Sequence, residues 1–231
     1  RSFSYRRFWA RRVRRLFPAS CAMILASVAA GFWCLPPNAY SELGKQTLAA
    51  AALSSNLYLW RAMSYWGPQA EDSVLLHMWS LAVEEQFYLI MPATLAYLHL
   101  RLRTWTWAIL SMLAFVSFGL CVYGTHFHPS ATFYMLPTRA WELLLGAVLA
   151  CCVHARREPP GKPITRKAAS WLGVAMIGYA SLYFSPQLPF PGWRALIPCI
   201  GAACVIYGTT GTDSLAREAL SLPVLRTVGL F

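Results

Sequence analysis

The stretch that decides the fold is LHMWSLAVEEQFYLIMP, residues 76–92. It is apolar enough for a membrane helix, yet it contains a histidine, a serine and two adjacent glutamates. At helical spacing, the polar side chains at positions 77, 80, 84 and 88 form one stripe. A charge near the centre of a bilayer costs at least about 2.5–3.5 kcal/mol, so we expect Glu84 to lie in a working site rather than against lipid.

The composition of the whole chain is that of an integral membrane protein. Of its 231 residues, 57% are hydrophobic and 13% are charged, whereas a soluble domain has about 25% charged residues. The net charge is +11, and arginines crowd the first fifteen residues. Because an apolar run follows directly, this cluster indicates a cytoplasmic flank of a membrane helix, and we expect the lipid bilayer rather than nucleic acid as its partner.

Six stretches are long enough to span a bilayer, which takes about 20 residues. They predict an all-α, polytopic transmembrane helix bundle with helices over residues 16–35, 75–98, 106–123, 136–153, 168–184 and 195–207. A seventh segment, residues 47–60, is short for a span and is interrupted by polar residues at positions 54–56.

The distribution of basic residues predicts the topology of these spans. The N-terminal arginines, Arg101 with Arg103, and the linker from Arg156 to Pro163 are all expected on the cytoplasmic side. The segment 47–60 must then begin and end on the outer side, so it is predicted to be re-entrant or interfacial.

The polar stripe supplies the candidate catalytic residues, which are Glu84, Ser80 and His77, and Tyr88 is a candidate substrate contact. A structural ion pair is the alternative for Glu84, and a hydrogen bond to a nearby carbonyl is the alternative for Ser80 and for His77. The adjacent Glu85 projects about 100° away from Glu84 on a helix, so we expect it to make a helix contact or to bind a loop.

The arginine block FWARRVRRLFP, residues 8–18, supplies a candidate anion site. If the helix already begins here, Arg12 and Arg15 are one turn apart and can point at one anion. Guanidinium groups suit phosphates, so a phosphorylated donor on the cytoplasmic side is one predicted ligand, and lipid headgroups are the alternative.

A third polar group lies in LPTRAWELLLG, residues 136–146. Arg139 and Glu142 are spaced i, i+3 at the outer end of a predicted helix. An ion pair between them is favoured, and a contact with substrate is the alternative. No metal site is predicted, because His126 and His128 have no converging ligands in the sequence.

Together the segments 8–18, 77–92 and 136–146 resemble the acyltransferase family 3 of integral membrane O-acyltransferases. The resemblance places the R-x-x-R element on Arg12 and Arg15, although Arg11 and Arg14 have the same spacing. The S-x-x-x-E element falls on Ser80 and Glu84. The family's catalytic histidine would lie upstream of Arg1, so His77 does not take its role.

The resemblance implies a bundle of about ten helices, of which residues 1–231 would be a partial membrane domain lacking about two helices at each end. It implies no bound cofactor and acyl-CoA, often acetyl-CoA, as co-substrate on the cytoplasmic side. The acceptor would be a hydroxyl of a cell-envelope or exported carbohydrate, or of a lipid-linked glycan, at the bacterial inner membrane.

Two other classes of protein fit the same residues. A transporter or flippase would use Glu84 and Arg139 to line a substrate path through the membrane. A structural membrane subunit would use the charges for assembly alone. Consumption of acyl-CoA distinguishes the enzyme from the transporter, and a structural subunit predicts that removing the charge of Glu84 or Arg12 affects assembly alone.

Overall fold

The computed structural model describes residues 4–65, 73–155, 162–185 and 189–210, together with residue 222. Within these ranges all regular structure is helical, as predicted. The α-helices are α1 (Tyr5–Cys34), α2 (Pro37–Ala51), α3 (Ser55–Tyr65), α4 (Met78–Arg101), α5 (Thr106–Phe127), α6 (Pro129–Tyr134), α7 (Leu136–Ala155), α8 (Pro163–Tyr183) and α9 (Leu196–Thr209). The contacts between Cα atoms divide the chain into two compact units, residues 1–94 (unit 1) and 95–230 (unit 2).

The first helix begins at Tyr5, well before the predicted start at residue 16. The Ser4 hydroxyl accepts a hydrogen bond from the backbone N–H of Arg7 at 3.5 Å, which is the usual geometry of a serine N-cap. The arginine block is therefore helical. Arg12 and Arg15 are one turn apart on the same helix, which is the condition for both to face one anion.

The segment predicted to be interrupted is broken into two helices in unit 1. Between α2, of 15 residues, and α3, of 11 residues, Leu53 has a positive φ of 52°. The backbone N–H and the hydroxyl of Ser54 both donate to the carbonyl of Ala49, at 2.8 and 3.2 Å. Each helix is shorter than the roughly 20 residues of a span, and the re-entrant or interfacial position of the segment stays a prediction.

A polar contact holds the start of α3 against α4. The Asn56 side chain is fully buried and its amide nitrogen donates to Gln86 Oε1 at 3.3 Å. The Gln86 amide in turn donates to Asn56 Oδ1 at 2.9 Å and to the Leu53 carbonyl at 3.0 Å. Gln86 directly follows Glu84 and Glu85 on α4. By holding Gln86, this contact favours one rotation of α4 about its axis, and that rotation sets the direction in which both carboxylates project.

In unit 2, α5 packs against α7, and α8 packs against α9. Cys121, Trp141 and Ala195 form a buried cluster. The Ser117 hydroxyl of α5 donates to the Pro137 carbonyl at 2.6 Å and accepts from the backbone N–H of Trp141 at 3.0 Å. These two bonds fasten the first two turns of α7, which carry Arg139 and Glu142, to α5.

Glycines set the close approach of α8 and α9. A Cβ placed on Gly173 would overlap the Gly201 carbonyl oxygen and would lie 2.9 Å from the Val205 nitrogen. Both obstacles are backbone atoms, so no side chain can move aside to make room. Small residues commonly allow this kind of helix contact in membrane proteins.

We expect Gly173→Ala to destabilise unit 2 by about 1–3 kcal/mol, because the extra methyl group forces α8 and α9 apart. The matched control is Gly178→Ala on the same helix, where a Cβ meets nothing within 4 Å. Thermal unfolding of the two purified variants in detergent measures the difference. Equal unfolding midpoints would show that this glycine contact does not limit stability.

Four helical stretches of the described residues are long and apolar enough to cross a membrane: Tyr5–Cys34, Arg103–Phe127, Pro129–Cys152 and Gly192–Thr209. They correspond to four of the six predicted spans. The helices α4 and α8, of 24 and 21 residues, are also long. However, α4 contains Glu84, Glu85 and Gln86, and α8 has Arg166 and Lys167 near its start. The predicted count of six spans is therefore not confirmed.

Two predicted loops fall partly outside the described residues. The cytoplasmic linker from Arg156 to Pro163 is described only at its last two positions, and the outer loop 185–192 is not described at positions 186–188. Their predicted sides of the membrane stay predictions.

Candidate active site

Arginines of α1 and polar residues of α4 line one cavity of about 590 Å³ in unit 1. Its lining residues are Phe8, Arg11, Arg12, Arg15, Leu16, Glu84 and Tyr88. We call this cavity the arginine cleft. A cleft with an excess of positive charge concentrates anions, and guanidinium groups bind phosphates well, so the cleft can hold a phosphate-bearing ligand.

Helical spacing brings these residues to one side of each helix. On α1, Arg11 and Arg12 are each three or four residues from both Phe8 and Arg15, so the four side chains lie on one side of the helix. On α4, Glu84 and Tyr88 are one turn apart in the same way. Arg14 belongs to the same block but is exposed and does not line the cleft. The alternative R-x-x-R pair, Arg11 with Arg14, thus has only one member in the cleft.

Arg12 is the most constrained of these arginines. Its Nε and Nη2 both donate to Glu85 Oε1, at 3.1 and 2.7 Å. Its guanidinium carbon also lies 3.4 Å from the ring centroid of Tyr88, in a cation–π contact. One edge and one face of the guanidinium are therefore held by α4.

The two adjacent glutamates have different surroundings. Glu84 is exposed and lines the arginine cleft, whereas the Glu85 side chain is only 9% exposed and pairs with Arg12. Sequence spacing correctly separated the two carboxylates and predicted a helix contact for Glu85. It missed that this contact is made with Arg12, because no spacing rule connects residues 73 positions apart.

His77 and Ser80 do not line the arginine cleft, although they share the stripe with Glu84. His77 precedes α4, is exposed, and its Nε2 lies 2.7 Å from the Met23 sulfur. The Ser80 hydroxyl donates to the His77 carbonyl at 3.2 Å, which is the local hydrogen bond considered as its alternative role. The structure thus gathers Arg12, Arg15, Glu84 and Tyr88 and leaves His77 and Ser80 outside the cleft.

A second, mostly apolar cavity of about 360 Å³ adjoins the arginine cleft in unit 1. The two cavities share Arg12 and Leu16 as lining residues. Side chains of α1 and α4 and the break after α2 line the second cavity, among them Leu16, Ile24, Leu53, Leu81 and Glu85. We call it the apolar cavity, and it suits an uncharged chain rather than a phosphate.

In unit 2, Arg139 and Glu142 form the predicted ion pair on α7. The Arg139 Nη2 lies 3.0 Å from Glu142 Oε2, and the side chains are 15% and 20% exposed. The guanidinium also lies 5.8 Å from the ring centroid of Phe133 and 5.7 Å from that of Phe190. Glu142 Oε1 is buried and makes no hydrogen bond within the described residues.

No group of three or more histidine, cysteine, aspartate or glutamate side chains in the described ranges is arranged to hold a metal ion. His126 lies in the last turn of α5, and His128 directly follows the last residue of that helix.

The apolar helices are those of an integral membrane protein, and its first unit has a cleft lined by three arginines. The chain belongs to the acyltransferase 3 family, whose model, described as an acyltransferase domain, matches residues 1–227. This confirms the resemblance drawn from the three sequence segments and the predicted class of enzyme, a transferase of acyl groups other than aminoacyl groups.

Several relatives cover most of the chain. An uncharacterised protein of Haemophilus influenzae is 28% identical over 219 residues, 90% of this chain and 89% of its own length. YrhL of Bacillus subtilis, named as a candidate peptidoglycan O-acetyltransferase, is 33% identical over 246 residues, 99% of this chain and 38% of its own length. The peptidoglycan O-acetyltransferase OatA of Listeria monocytogenes is 32% identical over 182 residues, 75% of this chain and 28% of its own length.

The chain thus spans well under half the length of these two peptidoglycan O-acetyltransferase relatives. Both names describe acetyl transfer, so the comparisons do not favour the transporter or flippase alternative. No solved structure matches the chain.

Proposed function

We propose that the full-length protein moves an acyl group from acyl-CoA to a hydroxyl of a cell-envelope carbohydrate at the bacterial inner membrane. The observation that carries this proposal is the arginine cleft, which adjoins the apolar cavity at Arg12. A donor with phosphates at one end and an uncharged arm at the other fits two such cavities. An acetyl group and a peptidoglycan acceptor are the specific substrates that the names of the relatives suggest.

In this proposal, Arg12 and Arg15 bind the phosphates of acyl-CoA on the cytoplasmic side, and Tyr88 completes the wall of that site. The arm of the donor enters the apolar cavity and brings the thioester into the protein. The acceptor hydroxyl attacks the thioester carbonyl, so that a C–O ester bond forms and the C–S bond breaks. The hydroxyl proton passes to a base, and CoA leaves as its thiol after taking up a proton.

Glu84 orients the reacting hydroxyl or the group that accepts its proton, with Ser80 and His77 continuing the polar stripe. Arg139 and Glu142 contact the carbohydrate acceptor. A carboxylate can accept a hydrogen bond from a hydroxyl, and such a charge-assisted bond is stronger than a neutral one. The exposed position of Glu84 in the cleft leaves its oxygens open to such a group.

The test uses membranes that contain the full-length protein, radiolabelled acetyl-CoA, and a count of label in the polysaccharide and peptidoglycan fractions. We expect Glu84→Gln to lower transfer about 30-fold at unchanged protein level, because one charge-assisted hydrogen bond of about 2 kcal/mol is lost. Glu84→Asp, which keeps the charge, should recover part of the transfer.

If Glu84→Gln transfers the label at the wild-type rate, Glu84 has no role in the reaction. A wild-type protein that leaves acetyl-CoA unconsumed would contradict acetyl transfer. Other acyl-CoA donors should then be compared in the same assay. If none is consumed, the protein should be tested for transport.

A further inference from the structure

We propose that Glu85 is a positioning residue that holds Arg12 ready for the donor phosphates. This inference rests on the proposed function of the arginine cleft and adds a residue that neither the sequence spacing nor the family motif selects. It follows from the geometry of one ion pair, from the charge around it, and from its place between the two cavities.

The geometry leaves Arg12 able to bind a second anion. Both hydrogen bonds to Glu85 use the edge of the guanidinium formed by Nε and Nη2, and both end on the single oxygen Oε1. The other edge, formed by Nη1 and Nη2, is not engaged by Glu85. A guanidinium can donate along both edges at once, so Glu85 orients Arg12 without occupying the edge that a phosphate would use.

The contact with Tyr88 restricts the same group further. With one edge bonded to Glu85 and one face 3.4 Å from the centroid of the Tyr88 ring, the guanidinium has little freedom to rotate. A free arginine side chain has many rotamers and loses that freedom when it binds a ligand. Fixing the rotamer beforehand makes binding tighter, because less freedom is lost when the phosphate arrives.

Charge explains why a carboxylate is needed at this position. Arg11, Arg12 and Arg15 line one cleft, and like charges in one site repel each other. Glu85 is almost completely buried, so its attraction for Arg12 is weakly screened by water. Glu84 also lines the cleft and offsets part of this charge, but it is exposed. Glu85 is the carboxylate bonded to Arg12, and it keeps Arg12 in the cleft when no ligand is present.

The ion pair also lies where the two cavities meet. Arg12 lines both cavities, Glu85 lines the apolar cavity, and Tyr88 lines the arginine cleft. A donor that binds by its phosphates and extends its arm into the apolar cavity must pass Arg12. Glu85 thus fixes the one guanidinium whose position decides both phosphate binding and entry of the arm.

The experiment measures equilibrium binding of radiolabelled acetyl-CoA to purified full-length protein, beside the unfolding midpoint of each variant. We expect Glu85→Ala to raise the dissociation constant about tenfold, because Arg12 loses its orientation. Glu85→Gln keeps an oxygen that accepts from Arg12, so we expect a smaller rise, and this variant serves if Glu85→Ala does not fold. In the double variant Arg12→Ala/Glu85→Ala, loss of Glu85 should add nothing to the effect of Arg12→Ala, since Glu85 acts only through Arg12.

Three outcomes would count against the proposals, and they differ from one another. Wild-type affinity in a folded Glu85→Ala or Glu85→Gln variant, together with weakened affinity in Arg12→Ala, would overturn the role of Glu85 alone. Additive effects in the double variant would overturn the claim that Glu85 acts through Arg12. Wild-type affinity in Arg12→Ala would overturn the arginine cleft as the donor site, and the role of Glu85 with it.

Discussion

Arg12→Ala is expected to lower acyl transfer roughly 1,000-fold in kcat/KM, which corresponds to about 4 kcal/mol of lost transition-state stabilisation. Two separate effects are expected at this position, the first on kcat/KM and the second on the free energy of unfolding. The variant removes a guanidinium proposed to bind the donor phosphates, and it leaves the buried Glu85 carboxylate without its cation. An uncompensated buried charge typically costs about 3–5 kcal/mol of folding stability. The unfolding midpoint of Arg12→Ala should therefore fall as well.

The matched control is Arg14→Ala, which removes the same charge from the same helix outside the cleft. If the arginine block serves only to set topology or to bind lipid headgroups, Arg14→Ala and Arg12→Ala should lower transfer per folded protein equally, even though Arg12→Ala also lowers the unfolding midpoint. Arg12→Lys separates charge from geometry, because an ammonium group cannot form the forked contact with Glu85. Transfer rates, divided by the amount of folded protein in each membrane preparation, decide between these interpretations. Retention of wild-type transfer by Arg12→Ala would contradict the donor site.

The positions of the helices could be predicted because they depend on local patterns. Five of the predicted helices, over residues 75–98, 106–123, 136–153, 168–184 and 195–207, differ from α4, α5, α7, α8 and α9 by only a few residues at each end. The largest error is the start of α1, since hydropathy assigns the arginine block to a loop. Only the Ser4 N-cap and the helical propensity of arginine indicate that the helix already begins at Tyr5.

The candidate site could be predicted only in part, because contacts between helices leave no trace in helical spacing. The stripe on α4 predicted Glu84 and Tyr88 on one face, and the arginine spacing grouped Arg12 with Arg15. All four line the arginine cleft, and their roles stay predictions. The contact of Arg12 with Glu85 depends on how α1 packs against α4, and it joins residues far apart in sequence. A rule that a buried carboxylate must have a cation could have suggested such a partner, but it could not have chosen among seven arginines in the first fifteen residues.

The second large effect is expected at the ion pair of α7. We expect Arg139→Ala to destabilise the protein by about 3–5 kcal/mol, because Glu142 would keep a charge in a buried position without its cation. The Glu142 side chain is only 20% exposed, and one of its oxygens already lacks a hydrogen-bond partner within the described residues. Water can therefore replace Arg139 only poorly. Thermal unfolding of the purified full-length protein in detergent measures the loss.

The double variant Arg139→Met/Glu142→Leu tests what the pair is for. Replacing both members of a buried pair by apolar residues of similar size is often neutral for stability, so we expect the double variant to recover most of the unfolding midpoint that Arg139→Ala loses. If the pair contacts the carbohydrate acceptor, as proposed, the folded double variant should bind acetyl-CoA normally and still fail to transfer the label. If it transfers the label at the wild-type rate, the pair serves the packing of unit 2, and the acceptor must be held by other residues.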